Sequence, residues 1–427
     1  MPLLKGNFEV QRMNLQNPLI NVEVLPDAKL NWQSDLTPEQ RRNVEEAKFA
    51  LNSVSIQNAV VNYDDQIRDV GFKLENLNGE ISAQSVLGPY RFEGNYVKDN
   101  NPQGFAISMG KLSDSMSTSL NMVVTHPMSE SYVRFDGSFM ISNRVLNGNL
   151  IVEAKKLRQF VDANFNVIDF EPQYDMPLVA TSDISLNSQQ LNLANVVVKY
   201  GETQGAGTIQ MPFNDGFGNG GVKPRIDAAF NFTDLDVTPI IISLQNFVDN
   251  HDEQGKEYAP DFPVDILADV KSLRTVYNGQ QIKNFELSSD VVSNVITINN
   301  LRAIVPGDSE FKLKGTVSSV DGELFYNLTS SLSSGDFLRT LNWLNIEPTV
   351  SAASTYRKAD ISAGLSGTLQ QIYIKPLSIS IDKTSFSGEI GIKRGERDDI
   401  MAILNADMVN FSGLITIPPR FYQLGFS

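Results

Sequence analysis

The sequence predicts a mainly β protein: a long, curved antiparallel sheet, a half-pipe, with a few short amphipathic helices between groups of strands. Three observations predict it. Apolar and polar residues alternate with period two in segment after segment, the pattern of a sheet with one apolar and one wet face. Glycines recur in the middle of apolar rows, where strands are normally depleted of them. Helix-like segments are few, and beyond residue 150 they recur roughly every 80 to 100 residues, which reads as a repeat.

The clearest stretch runs from Tyr132 to Val152. Val133, Phe135, Gly137, Phe139 and Ile141 fall on one face of an extended strand, and Arg134, Asp136 and Ser138 fall on the other. After a turn at Ser142-Asn143-Arg144, Leu146, Gly148, Leu150 and Val152 share one face again. A mid-strand glycine weakens a strand but lets a sheet bend or another backbone approach closely.

Taken in order, Phe8 and Val10 mark one strand and Leu19 to Val24 another, before a turn at Pro26-Asp27. Thr37-Pro38-Glu39-Gln40 is a helix start, with Thr as N-cap, Pro at the first position and an acid in the first turn; it predicts a short helix at about 37–48. Strands resume as separate pieces around Phe49 and Leu51, Val54 and Ile56, and Val61 and Tyr63. Asp64-Asp65, Gly79 and Gly88-Pro89 mark turns. Phe92, Gly94 and Tyr96, then Phe105, Ile107 and Met109, continue the alternation.

Three helix-like segments follow: Ala154 to Val161, Val237 to Val248 and Gly335 to Leu344. Each is followed by about half a dozen strands. The expected division is an N-terminal β region over 1–150, groove repeats over 151–235 and 236–334, and a third repeat with the start of a further unit, near Met408, over 335–427. Strands within the repeats match loosely, as in Gln190 to Val196, Gln281 to Leu287 and Gln371 to Leu377. A hydrophobe-x-Gly-x-hydrophobe strand recurs at Leu313-Gly315-Val317 and Phe386-Gly388-Ile390, with a looser copy at Gly205 and Gly207 beside Ile209 and Met211.

Composition narrows the function. With 41% hydrophobic and 20% charged residues, the 427-residue chain folds around apolar surface rather than staying disordered. A net charge of −15 argues against nucleic acid or anionic headgroups as the main partner. With no cysteine there is neither a disulfide framework nor a thiolate metal site. His126 and His251 lie far apart beside turn-type residues and read as surface histidines. Asp64-Asp65, Asp398-Asp399 and Asp249, Asp252 and Glu253 read as solvated turns in preference to a calcium site or a glycosidase pair. The glycine runs at 201–207 and 216–221 lack the Lys-Ser/Thr ending of a phosphate loop and read as turns.

A sheet cannot leave a large apolar face bare, so it must pack on a second sheet, lie under helices, or curl and be filled. The helices are too few for about two dozen strands. At about 4.8 Å per strand, a continuous sheet of that number would extend on the order of 100 Å. Its lining would include Phe92, Tyr96, Val133, Phe135, Phe139, Ile141, Leu150, Ile296, Ile298, Leu313, Phe386, Ile390 and Ile392, with Gly94, Gly137, Gly315 and Gly388 as bending points. Moving an acyl chain through water costs about 0.8 kcal/mol per methylene, so a chain of about sixteen carbons faces a barrier near 12 kcal/mol that such a lining offsets. The amphipathic segments around Ile240, Ile241, Leu244, Phe247 and Val248, and around Phe337, Leu338, Leu341 and Leu344, are expected to plug or flank the groove.

The ordered phrases Leu15 to Glu23, Leu30-Asn31-Trp32, Val54 to Asp65 and Gly88 to Gly94 resemble the AsmA family of bacterial envelope proteins, within the repeating-β-groove group of bridge-like lipid transfer proteins. Ala28-Lys29-Leu30 stands where that family usually has a glycine. The resemblance implies a periplasmic body on an inner-membrane anchor helix that this chain lacks, a role in phospholipid movement and outer-membrane lipid homeostasis, and neither catalytic residues nor a cofactor. Phospholipid acyl chains are the expected partner of a monomer, with inner- and outer-membrane proteins besides and no nucleic acid. The chain starts inside the strand-like NFEVQRMNL and ends at ITIPPRFYQLGFS, which reads as part of a longer protein.

Two alternatives stay open. One is a structural or assembly factor for outer-membrane proteins, in which the sheets form closed sandwiches, the glycines mark edge bulges and free strand edges hold partners. The other is an enzyme, for which neither a nucleophile–base pairing nor a metal cluster can be found.

Overall fold

The computed structural model describes residues 8–26, 31, 49–66, 70–85, 87–98, 101–164, 175–213, 223–242, 264–320, 322–346, 357–395 and 397–408. The helix expected at 37–48, Trp32, His251, the cluster Asp249, Asp252 and Glu253, the glycine run at 216–221, and the further unit from residue 409 on lie outside them. The chain divides into two compact units, Met1–Gly201 with Gly207–Arg225, and Glu202–Ala206 with Ile226–Ser427. Both are built from a curved antiparallel sheet with short helices between strand groups.

In the first unit β1 (Phe8–Val10), β2 (Met13–Gln16) and β3 (Leu19–Val24) run one after another along β4 (Phe49–Asp65), all parallel to it. The rest is antiparallel and follows chain order. It comprises β5 (Val70–Ala83), β6 (Tyr90–Lys98), β7 (Asn101–Met109), β8 (Ser117–His126), β9 (Ser131–Met140), β10 (Val145–Ala154), β11 (Leu178–Leu186) and β12 (Gln190–Tyr200). Helix α1 (Leu157–Asn164) lies between β10 and β11. The residues of β13 (Thr203–Pro212) are divided between the units.

The second unit holds β14 (Arg225–Asp236), β15 (Asp265–Tyr277), β16 (Gln280–Val292), β17 (Val295–Val305), β18 (Ser309–Val320) and β19 (Glu323–Ser334). Helix α2 (Phe337–Trp343) and strands β20 (Ala359–Gly367), β21 (Gln371–Ile381), β22 (Thr384–Lys393) and β23 (Asp399–Met408) complete it. From β15 to β23 each strand pairs antiparallel with the next. Residues 238–242 begin a further helix. Among the described residues four strands separate α1 from that helix and five separate it from α2, where about half a dozen are expected.

Several expectations need correcting. The pieces around Phe49 to Tyr63 are one 17-residue strand, β4. Its alternation looks broken because Asn58, at φ 53°, adds a bulge that shifts the register between Ile56 and Ala59. Gly79 is no turn; it sits inside β5 directly opposite Gly94. Asp64-Asp65 closes β4 instead of turning, and Asp65 is only 1% exposed, with the Tyr63 hydroxyl donating to it at 3.3 Å. Left-handed asparagines also bulge β5 at Asn76, β12 at Asn195 and β16 at Asn284. In β21 the register shifts between Ile374 and Leu377. The three loosely matching segments of the sequence are therefore three bulged strands, and bulges bend a sheet.

The glycines act by close approach. A Cβ on Gly137 would lie 2.2 Å from the Asn147 carbonyl oxygen and 2.7 Å from the Cα of Gly148, its cross-strand partner. The Gly79–Gly94 pair is the same device, with a Cβ on Gly94 only 2.0 Å from the Asn78 carbonyl oxygen. At Gly315 the backbone adds φ 138°, and a Cβ would meet the Asn327 carbonyl oxygen at 2.1 Å.

Gly137→Val is accordingly expected to destabilise the first unit by about 3 kcal/mol or more, at or beyond the upper end of ordinary overpacking. Gly335→Ala, where an added Cβ meets nothing within 4 Å, should change stability by less than about 0.5 kcal/mol. Urea unfolding followed by circular dichroism measures both, and equal effects would show that the glycine pair is not a packing constraint.

Candidate functional site

Residues directly opposite in an antiparallel pair share a face, so the register traces the apolar surface from strand to strand. In the first unit one row runs Ile56, Gly79, Gly94, Phe105, Val124, Val133, Val152, Ala180, Val198. The neighbouring row runs Val54, Ile81, Phe92, Ile107, Met122, Phe135, Leu150. A third carries Phe139 beside Leu146, Leu186 and Leu191. The opposite face is wet, with ion pairs such as Arg91–Glu93 at 2.8 Å and Arg134–Asp136 at 2.5 Å that add little stability at their exposure.

The second unit repeats the pattern. One row runs Ser289, Ile298, Gly315, Leu328, Leu365, Ile374, Ile390, Ala402. Flanking rows carry Ile296 and Ile392 on one side and Leu313 with Gly388 on the other, and Phe386 lies in the row beyond, beside Ile379. The expected lining residues thus fall into two sets, one per unit, each on a single face. Ile141 is the exception: it falls in the turn after β9, its N–H donating to the Met116 carbonyl at 3.0 Å.

Burial tells a sandwich from a groove. In a sandwich the middle rows would be sealed between sheets about 10 Å apart. Here Ile298, Leu328, Leu365, Ile374 and Ile390 are half-buried, as are Phe92, Phe105, Val133 and Leu150. Sealed apolar clusters close the rows at their β4 end, where Phe92 and Phe105 pack against Val54 and Ile56, and lie under α2. Val54, Ile56, Ala59 and Leu77 form one on β4 and β5, and Phe337, Leu341 and Ala359 form another where α2 docks. Phe135 is 2% exposed and so is not an open lining position. Its ring covers the Gly137–Gly148 pair, where a Cβ would come within 2.6 to 2.8 Å of it.

Both helices sit over the same place in the strand pattern. Helix α2 is capped by Asp336, which accepts from the Arg339 N–H at 3.2 Å, and it docks where Ser309, Ser334 and Ala359 are in register. There Ser309 Oγ donates to Ser334 Oγ at 2.6 Å and shares a hydrogen bond with Thr340 Oγ1 at 2.6 Å. Helix α1 docks over the corresponding row Ser131, Ala154 and Leu178. Glu130 holds the approach to α1 through Lys155 at 3.1 Å and Lys156 at 3.4 Å, and these two lysines keep its carboxyl below its usual range.

His126 is not the surface residue expected. It is 6% exposed, meets the Phe160 ring of α1 edge-on at 5.3 Å, and its Nδ1 has no partner. Burial, and then the charge of Lys98, hold its pKa below the ordinary 6.5. The alternation already put it inward, two residues after Val124. Asp398 does form a turn, accepting from the Gly395 N–H at 3.3 Å. Among the described residues no group of three or more His, Asp or Glu side chains could hold a metal ion, and no helix is long and apolar enough to cross a membrane.

Residues 1–205 match the model of the AsmA family. No curated protein and no solved structure matches the chain.

A histidine with a depressed folded pKa favours the neutral form, so above pH 6.5 it contributes nothing to the pH dependence. As pH falls through 6.5 the unfolded chain protonates first and stability drops, levelling only below the folded pKa. Between pH 7.5 and 5.5 the wild type should therefore lose stability relative to His126→Gln. Parallel unfolding profiles for the two proteins would contradict the burial of His126 beneath α1.

Proposed function

Residues 1–205 belong to the AsmA family, and from that premise we propose that the protein binds phospholipids by their acyl chains and passes them along apolar β-grooves in the bacterial periplasm. One observation carries the reading: apolar rows cross seven or more consecutive strands in each unit on one face, and away from the β4 end and Phe135 most of their side chains stay half-buried. Such a face is unfavourable in water and favourable against hydrocarbon, at about 0.8 kcal/mol per methylene covered. In this reading the expected lining residues, apart from the sealed Phe135 and the turn residue Ile141, make that contact. The chemistry is non-enzymatic, since nothing is broken or formed when an acyl chain slides. Attachment to the inner membrane by an N-terminal helix and a contribution to outer-membrane lipid homeostasis complete the proposal.

A second reading, a scaffold that holds other envelope proteins, draws on β23. Its Ile400, Met401, Ile403 and Leu404 are each about half exposed, on both faces of a strand whose one partner among the described residues is β22. Photo-crosslinking separates the two. Benzoylphenylalanine in place of Phe139 or Leu313, on the apolar face, should capture phospholipid in cells. The same residue in place of Arg134 or Lys312, on the wet face, should not. Protein adducts from all four positions with no lipid adducts would favour the scaffold and sink the groove.

A further inference from the structure

One row of the first unit breaks the apolar pattern. Tyr96 stands opposite Gln103, and His126 stands opposite Ser131. Gln103 lies one step beyond the paired Gly104 and Thr125, which brings it beside His126 on the same face. A run of polar side chains therefore crosses β6 to β9 immediately next to the row that holds Phe105, Val124 and Val133.

This row is incompletely satisfied. Gln103 is 3% exposed; its Oε1 accepts from the Tyr96 hydroxyl, but its Nε2 has no acceptor. Nδ1 of the neighbouring His126 is equally sealed and equally alone. Buried amide and imidazole nitrogens are nearly always paired, so two in adjacent positions require a partner. The surrounding chemistry defines which. Lys98, two residues beyond Tyr96 on β6, is near enough for its charge to oppose protonation of His126, and among the described residues no carboxylate acts on that imidazole. In a chain of net charge −15 this spot offers donors and a cation.

We propose that the row is a headgroup seat, which takes a phosphate oxygen of a phospholipid whose acyl chain lies on the adjoining apolar rows. Gln103 Nε2 donates to the oxygen, Lys98 supplies the counter-charge, and His126 faces it from β8. Phe160 of α1 caps the imidazole, so entry of the phosphate displaces that aromatic contact. The inference rests on the groove reading and adds where the polar end of the ligand goes.

The test uses the full chain and two lipids with identical chains, dioleoyl phosphatidic acid and dioleoylglycerol, each loaded from cyclodextrin, with inorganic phosphate as a third arm. Bound lipid is counted, and the imidazole of His126 is followed by NMR, assigned against His126→Gln. Phosphatidic acid should move the His126 resonances and be preferred over dioleoylglycerol. Gln103→Leu should cut that preference about tenfold, the worth of one hydrogen bond to a charged group. Arg134→Gln, on the wet face, should keep it. Equal uptake of both lipids with His126 unmoved overturns the seat and leaves the groove intact. No uptake of either lipid overturns both. If inorganic phosphate alone moves His126 as far as phosphatidic acid does, the row is a free-anion site and the headgroup seat is wrong.

Discussion

A slip of one residue anywhere between β5 and β12 would turn every apolar side chain beyond it to the wet face. The first unit keeps its apolar residues on one face through seven antiparallel pairings in succession, and the second through eight, with bulges absorbing the register shifts. Among the described residues no second sheet locks the register from above. The constraint is therefore carried within the sheet, by hairpin turns, by cross-strand contacts such as Phe92 with Phe105 at 4.6 Å, and by glycine pairs that tolerate no side chain. The apolar face and its half-buried rows follow from keeping that alignment.

Curvature has separate causes. Asparagines in the left-handed region insert an extra residue into β4, β5, β12 and β16, and their neighbours fix the result. The Asn58 N–H donates to Asn78 Oδ1 at 3.0 Å, and Asp183 accepts from both Asn149 and Asn195, at 2.6 and 2.7 Å. Asparagine reaches positive φ at lower cost than most residues and still offers an amide to the wet face. The bends are thus encoded by residues that, one at a time, look like ordinary polar positions of a strand.

Much of this was legible in the sequence because period two is a direct record of which face a side chain takes. The alternation from Tyr132 to Val152 described β9 and β10 almost residue by residue, and the resemblance of the opening phrases to the AsmA family agrees with the match over 1–205. Bulges hid the rest. Asn58 split one long strand into apparent fragments, and Gly79 looked like a turn because its partner Gly94 is remote in sequence. Phe135 looked like open lining because alternation reports a face and says nothing of a ring lying on its own sheet. The polar row was missed for a different reason. Tyr96, Gln103, His126 and Ser131 each end an apolar alternation, and only the pairing of β6 to β9 shows them side by side.

The parallel run of β1, β2 and β3 along β4 has an architectural consequence. Three short segments occupy one flank of β4 almost end to end, and β5 occupies the other. No hairpin can be inserted at that flank without dislodging them. On the far side, among the described residues, each strand pairs with the strands before and after it in the chain, so a pair of strands can be gained or lost there with its neighbours left as they are. An array of this kind gains or loses length most easily away from β4, like a scarf that grows from its free end.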